Sequence, residues 1–285
     1  MIRRCFVLGA MALAGWLTSA ALAQDPAPLG EIRYLGNEAV MITGGGVKIL
    51  VDPLFDDDFG GEDFKLPNDL RIAVKAAEPP YDGIDAIFIT QALGNHFSAM
   101  PLLAYLSRHR ATRLVAPTQA LEQLTAQMTP ADAGLAARFT PVILGPDDPL
   151  TTLDLFVDDL TVEAQAVPHV GEAATAGLSH VVYRFTLGDA PPVVHLAETG
   201  PDRTPFERHY AGWLKVRSKY VLAPYWLFST PQGLSIVQGI ANAEAAVAFH
   251  LNARAHDNPA ETRARFPQYD LFLEPGETRD LEPLR

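Results

Sequence analysis

The chain has 285 residues, a formal net charge of −12, 48% hydrophobic residues and 20% charged residues. This composition supports a buried core and excludes a disordered or fibrous protein. The pI is near 5.0. Such an acidic chain argues against nucleic acid as a partner, because a nucleic-acid binder needs a basic face that displaces phosphate counterions.

The first 23 residues predict a cleavable secretory signal peptide. Arg3 and Arg4 precede an apolar run over 5–17, and the small residues that end at Ala23 form an A-x-A cleavage site. A transmembrane anchor is the alternative, but the apolar run is short for a membrane span. We therefore expect a periplasmic or secreted protein. Residues 1–23 would be the signal peptide and 24–285 one domain with no integral membrane segment.

Cleavage would remove the only cysteine, Cys5, and would change the formal charge from −12 to −14 because two arginines are lost with it. The mature chain would then contain no disulfide, no thiol nucleophile and no cysteine metal ligand. Any metal site must therefore be built from His, Asp, Glu, Asn or Gln side chains.

The first half of the chain opens with β-type runs and then alternates strands with helices. Gly44, Gly45 and Gly46 separate two of these runs and predict a hairpin loop. The acidic, Pro-containing stretch 56–80 predicts a long surface loop, a candidate rim over a site. The predicted strands are 31–35, 39–43, 47–52, 85–90 and 113–116, and the predicted helices are 99–110 and 117–127.

The second half repeats this pattern after a Pro/Asp-rich turn, and no short-period repeat indicates a solenoid or propeller. Two halves of similar type predict two sheets packed face to face with helices outside. The predicted strands are 160–166, 181–187, 193–196, 220–225 and finally 245–250, and the predicted helices are 205–214 and 233–241.

Four ligand-competent residues follow predicted strands at their carboxyl ends: His96, His169, Glu198 and His250. A lone histidine is more often a surface or core residue, but strands packed in this way bring their ends to one rim. The chain lacks the G-x-S-x-G, H-E-x-x-H and strand-linked G-x-G-x-x-G motifs. These four residues are therefore the candidates for chemistry.

The sequence resembles the metallo-β-lactamase-fold hydrolases, in particular the branch of ascorbate-6-phosphate lactonase-like and related metal-dependent enzymes. The resemblance implies an α/β fold, a four-layer αββα sandwich. It also implies a two-metal site built around an H-x-H-x-D-H loop, which here reads Gln91-Ala92-Leu93-Gly94-Asn95-His96. The segments that carry the resemblance are 42–54, 85–98, 167–169, 194–200, 220–224, 250 and 274–278.

The resemblance implies that the first metal would need the positions of Gln91 and Leu93 together with His169. Leu93 cannot coordinate and Gln91 is a weak ligand, so we expect that site to be empty. The second metal would use Asn95, His96, Glu198 and His250. Two imidazoles and a carboxylate permit one divalent ion, zinc first, but do not require one.

Other residues carry lesser predictions. With Asn95 in place of the loop Asp, the acid/base role would pass to Glu198 or His169, and Asp52 would orient a ligand or accept turn hydrogen bonds. Aromatic residues near the strand ends would line a pocket mouth or pack in the core. They are Phe97, Tyr225, Trp226 and Phe228.

Two functional classes follow. The first is a mononuclear metal-dependent hydrolase of an ester, lactone or phosphoester, with His96, Glu198, His250 and Asn95 around the metal and His169 and Glu198 as catalytic groups. The second is an inactive family member that binds a small molecule or a partner protein. The substrate or ligand and the oligomeric state are not specified by the sequence.

Overall fold

A computed structural model describes residues 27–57, 59–171 and 177–285. The predicted signal peptide and its cleavage site lie outside these residues. Among the described residues, no helix combines the length and the apolar character that crossing a membrane requires.

Fourteen strands and eight α-helices make up the described regular structure, together with short 3₁₀ and π segments. The strands are β1 (Gly30–Gly36), β2 (Ala39–Gly44), β3 (Val47–Val51), β4 (Ala86–Phe88), β5 (Arg113–Pro117), β6 (Phe139–Val142), β7 (Thr151–Thr152), β8 (Leu160–Ala166), β9 (Val181–Leu187), β10 (Val193–His195), β11 (Ser218–Pro224), β12 (Ala243–Phe249), β13 (Asp270–Leu271) and β14 (Thr278–Asp280). The helices are α1 (Asn68–Ala76), α2 (Ala99–Arg108), α3 (Thr118–Ala126), α4 (Thr204–Glu207), α5 (Tyr210–Leu214), α6 (Pro231–Ser235), α7 (Ala253–Asp257) and α8 (Pro259–Arg265).

The strands form two seven-stranded mixed sheets. The first has the order β14-β1-β2-β3-β4-β5-β6 and the second the order β13-β12-β11-β10-β9-β8-β7. The predicted glycine hairpin joins β2 to β3, which pair antiparallel, and Gly45 and Gly46 adopt positive φ. Strands β3 to β6 are parallel, as are β10 to β13. Their loops at the carboxyl ends are where chemistry-bearing residues are expected.

The sheets pack face to face around one apolar layer, to which Ile49 and Phe88 contribute from the first sheet and Phe185 and Val247 from the second. Helices α1 to α3 cover the outer face of the first sheet: α2 buries Leu102, Leu103, Tyr105 and Leu106 at helical spacing. Helices α4 and α5 and the segment 231–240 cover the second sheet. The predicted four-layer αββα sandwich is therefore confirmed.

Three element predictions were wrong. The stretch 56–80 is not only a loop, because its centre forms α1, whose buried Val74 packs on the first sheet. The predicted helix 205–214 is two short helices, α4 and α5. The strand that ends before His250 is not the last: β13 and β14 follow and pair with opposite sheets.

Candidate metal centre

Four buried side chains lie together at the edge where the two sheets meet: Glu38, His96, Glu198 and His250. One ligand-competent atom from each lies within 4.8 Å of the others, so the group could hold a metal ion. The sequence analysis singled out three of these residues. It missed Glu38, which occupies the tight turn between β1 and β2.

Each member of the cluster is placed by the end of a strand. Glu38 immediately precedes β2, and His96 lies in the loop between β4 and α2. Glu198 follows β10, and His250 follows β12 directly. The first sheet thus supplies Glu38 and His96 and the second supplies Glu198 and His250, so the cluster requires both sheets.

The backbone is strained at this edge. Asn37, Asp52, Ala197 and His250 adopt positive φ angles of 46–55°, a conformation that costs free energy for residues other than glycine. The strain is held in place by hydrogen bonds across the edge: the His250 amide donates to the Asn37 carbonyl at 3.2 Å. Strain of this kind concentrates at functional sites.

Asp52 holds His96 in one orientation. Its Oδ2 lies 2.8 Å from His96 Nδ1 and accepts the Thr90 hydroxyl at 2.5 Å, while its Oδ1 accepts the Thr90 amide at 2.9 Å. Because the carboxylate only accepts, Nδ1 carries the proton and Nε2 of His96 faces the cluster. Asp52 therefore has the orienting role that was one of its two predicted roles.

The two glutamates approach opposite sides of the imidazole rings. Glu38 faces Nδ1 of both histidines, at 2.7 Å from His250 and 3.5 Å from His96. Glu198 faces Nε2 of both, at 3.2 Å from each. Since one ring nitrogen is usually fixed by a carboxylate while the other binds a metal, Glu38 belongs to the orienting side and Glu198 to the ligand side.

Asp63 adds a second carboxylate on the ligand side, and the sequence analysis missed it as well. Its Oδ1 lies 3.3 Å from His250 Nε2, and its Oδ2 accepts from Asn95 Nδ2 at 2.9 Å. Asp63 belongs to the acidic stretch 56–80. The expectation that this stretch forms a rim over the site is consistent with this placement.

Glu198 is the centre of the polar network. Its Oε2 accepts from Gln91 Nε2 at 2.6 Å and from His169 Nε2, and its Oε1 lies 3.4 Å from Asn95 Nδ2. All the candidate catalytic and ligand residues from the sequence therefore converge on one carboxylate. As placed, Asn95 turns its amide nitrogen, which cannot bind a metal, toward the cluster.

The opposite charges of the histidines and the carboxylates stabilise one another. Burial opposes protonation of His96, but the carboxylates of Glu38 and Glu198 and the bond to Asp52 outweigh it, and the pKa of His96 is raised well above its usual value. Burial likewise opposes protonation of His250, but Glu38 and Asp63 raise its pKa to about 10. Burial would raise the pKa of Glu198, whereas His96, His169 and His250 hold it well below its usual value.

The donor set fits a single divalent metal. Nε2 of His96 and Nε2 of His250 each lie 3.2 Å from the Glu198 carboxylate, and Asp63 Oδ1 lies 3.3 Å from His250 Nε2. Two imidazole nitrogens with two carboxylates suit zinc and also manganese or iron. The described residues do not offer such a donor set for a second metal ion, because Gln91 donates to Glu198 and Leu93 has no ligand atom.

The aromatic residues divide between core and site. Phe97 and Phe228 are buried in the hydrophobic clusters, and Phe228 also lines a surface pocket beside residues 243–246. Trp226 packs edge-on against His250 with ring centroids 5.1 Å apart, and its Nε1 donates to the Thr199 carbonyl at 2.9 Å. Tyr225 is exposed beside it and lines a surface pocket.

Solved structures with the same architecture include three proteins from an archaeon and from bacteria. A metallo hydrolase, Igni18, from the archaeon Ignicoccus hospitalis aligns with a TM-score of 0.57 at 15% identity, over 90% of this chain and 99% of its own. An isothiocyanate hydrolase from Delia radicum gut bacteria gives 0.56 at 14% identity, over 89% and 100%. The metallo-β-lactamase fold protein YhfI from Bacillus subtilis gives 0.55 at 13%, over 88% and 98%.

These identities are low enough that the structural matches establish the fold alone. No curated protein sequence matches the chain. The sequence family described as the β-lactamase superfamily domain matches residues 31–211, more than half of the chain, without distinguishing the lactonase-like branch. The chain therefore belongs to the β-lactamase superfamily.

Proposed function

We propose that the protein is a hydrolase that uses one divalent metal ion, with zinc as the first candidate. His96, His250, Glu198 and Asp63 would hold the ion. The observation that carries this proposal is the convergence of both histidine Nε2 atoms on the Glu198 carboxylate at 3.2 Å, within a buried cluster. The substrate class would be an ester, lactone or phosphoester.

When bound, such a metal supplies Lewis acidity toward a carbonyl or phosphoryl oxygen. The chain's own groups would handle the proton. His169, whose Nε2 contacts the Glu198 carboxylate, is positioned to exchange a proton with the substrate, and Glu198 orients it. His169 also lines a depression of about 200 Å³ that opens to the surface, so it is a site residue that a substrate can reach.

The residues that only orient the ligands have a separate task. Asp52 and Glu38 keep the Nδ1 atoms of His96 and His250 protonated and both Nε2 atoms turned toward Glu198. Loss of such an orienting carboxylate typically weakens metal affinity about 10–100-fold without abolishing it. The proposal therefore predicts that substitution of Asp52 or Glu38 weakens metal binding, whereas substitution of the histidine ligands abolishes it.

Metal content of the purified protein tests the proposal. Elemental mass spectrometry should find about one equivalent of metal in the wild-type protein and none in His96→Ala/His250→Ala, while Glu38→Gln should retain metal at saturating concentration. His109→Ala serves as the control, because that histidine lies at the end of α2 and bonds to the Lys75 carbonyl. Absence of metal after incubation with excess zinc, manganese and iron would refute the proposal.

Turnover is the second test. A panel of nitrophenyl esters, lactones and phosphoesters should include substrates that the metal-loaded protein hydrolyses, and a chelator should abolish this activity. His169→Gln should lower kcat and leave metal content unchanged, because His169 is outside the proposed ligand set. Equal turnover in wild type and His169→Gln would remove His169 from the mechanism.

A non-catalytic binding protein is the second candidate. It is favoured by one specific observation: Gln91 and Asn95 place amide nitrogens on Glu198, so this carboxylate is already surrounded by donors without a metal. A metal-free protein that converts none of the panel, but whose melting temperature rises with a ligand, would establish this class.

We also propose that the protein is exported and cleaved after Ala23. The charged start, the apolar run over 5–17 and the A-x-A site support this. The intact mass of the protein recovered from an extracytoplasmic fraction should correspond to a chain that begins at Gln24. A mass that includes residues 1–23 would refute cleavage.

A further inference from the structure

A pocket of about 420 Å³ lies beside the metal centre, on the carboxyl-end edge of the second sheet. Its walls come from the residues after β11, from the residues after β12, and from α7 and α8. The volume is within the range of small-molecule sites. It is lined by Tyr225, Leu251, Asn252, Arg254, Ala255, Asn258, Glu261, Thr262, Arg265 and Phe266.

Three residues of the pocket wall adjoin the site. Tyr225 precedes Trp226, which packs on His250, and Leu251 follows His250 in the chain. Asn252 forms a β-bridge with Asp63, whose carboxylate contacts His250. A molecule in the pocket would therefore extend toward the proposed ligands.

The pocket carries two arginines that the rest of the structure does not neutralise. Within the described part of the chain, no carboxylate lies within ion-pair distance of Arg254 or Arg265, although Arg265 lies over the Phe266 ring at 5.4 Å. Both side chains belong to exposed residues. The acid on the wall, Glu261, accepts from Asn258 Nδ2 at 2.9 Å.

The two arginines outnumber the one acid on the pocket wall. The chain has a net charge of −12, which repels anions in general, and the arginines on neighbouring elements are bound to carboxylates, Arg263 of α8 to Glu277 and Arg279 of β14 to Asp270. Free guanidinium groups in a pocket select planar anions, since their N–H fork matches a carboxylate. The Tyr225 and Phe266 rings offer an apolar surface beside them.

We propose that this pocket binds the carboxylate end of an aromatic or otherwise apolar substrate, with Arg254 and Arg265 contacting the carboxylate. This inference rests on the proposed function for the reaction, but the binding step does not depend on it. The substrate class becomes a carboxylated ester, lactone or phosphoester whose scissile bond lies toward His250 and whose anionic end lies between α7 and α8.

A non-hydrolysable pair of probes tests the pocket alone. Isothermal titration of the full-length purified protein with 2-naphthoate and with the neutral 2-naphthamide should give about tenfold tighter binding of the carboxylate. Arg254→Gln/Arg265→Gln should reduce this preference to less than threefold. The control Arg108→Gln/Arg110→Gln removes the same charge from the exposed end of α2 and should leave the preference unchanged.

Equal binding of the two probes, or equal loss in both double variants, would overturn the proposal. So would displacement of 2-naphthoate by acetate at equal concentration, because the aromatic wall would then contribute nothing. The two proposals fail separately. A protein that binds 2-naphthoate through the arginines but holds no metal retains the pocket and loses the hydrolase, whereas a metal-loaded esterase indifferent to both arginines retains the hydrolase and loses the pocket.

Discussion

Replacing Asp52 with asparagine should cost a large part of the stability of the molecule. The substitution preserves shape, and asparagine also tolerates the positive φ of 46° at this position. It removes the charge that accepts from the Thr90 amide, the Thr90 hydroxyl and His96 Nδ1. Asp52 is 1% exposed, so water cannot replace these bonds.

Breaking a buried ion pair by removing one partner costs about 3–5 kcal/mol. For a chain of this size, where about 1 kcal/mol shifts the melting temperature by roughly 2–4 °C, the midpoint should fall by roughly 6–20 °C. Urea unfolding followed by tryptophan fluorescence gives the free energy, and calorimetry gives the midpoint. Both should be measured on the chelator-treated protein, so that metal does not contribute.

Asp82→Asn is the matched control, because Asp82 is 57% exposed and pairs with Lys48 at the surface at 3.3 Å. An exposed pair of this kind contributes about 0–1 kcal/mol. If Asp52→Asn lost no more stability than Asp82→Asn, the argument that Asp52 and His96 form a tightly held charged pair would be wrong.

Four further outcomes are expected. The metal-free protein should lose stability as the pH rises from about 6.5, the pKa of histidine in an unfolded chain, to about 10, the pKa of His250 in the folded protein. The reason is that the folded state favours the charged form of His250. Urea midpoints that rise over this range would contradict this. Metal affinity should instead increase with pH, since binding must displace those protons, and a titration of zinc at pH 6 and pH 8 measures it. Gln91→His/Leu93→His should raise the bound metal by up to one equivalent in elemental analysis, and an unchanged ratio would show that these two positions do not complete a second site. Gly233→Ala should destabilise the protein by about 1–3 kcal/mol in urea unfolding, because a Cβ there would lie 2.3 Å from the Leu227 carbonyl oxygen; wild-type stability would mean that the chain relaxes at no cost.

The layers of the fold were predictable because the apolar strands and helices have clear periodicity. The strands 160–166 and 181–187 were placed correctly to the residue. The short strands β6, β7, β13 and β14 were not predicted, because two to four residues are too few to show a periodic pattern, and β14 pairs with β1 from the other end of the chain. Helix α1 was missed although Leu70, Ala73 and Val74 have helical spacing, because the acidic, Pro-containing composition of 56–80 indicated a loop.

The site was predictable where a strand end delivers the residue, as for His96, Glu198 and His250. Glu38 was missed because it belongs to a turn, where an acidic residue is ordinary. The signal that could have found it is its position between two apolar strands, with no other charge from 34 to 47. Asp63 was hidden among the acids of 56–80, and only the tertiary path of that segment brings it to His250.

The division of the charged cluster between the two sheets has a consequence for folding. Glu38 finds its closest partner in His250, and His96 meets Glu198, so the principal contacts of the cluster join the first half of the chain to the second. A first sheet formed alone would leave Glu38 with His96 at 3.5 Å but without its closer partner His250, and a second sheet formed alone would leave Glu198 without His96 and Gln91. Each half is therefore penalised until the other docks. The buried charges of the proposed metal site therefore also make folding of the sandwich more cooperative, because the site is complete only when both halves of the chain have docked.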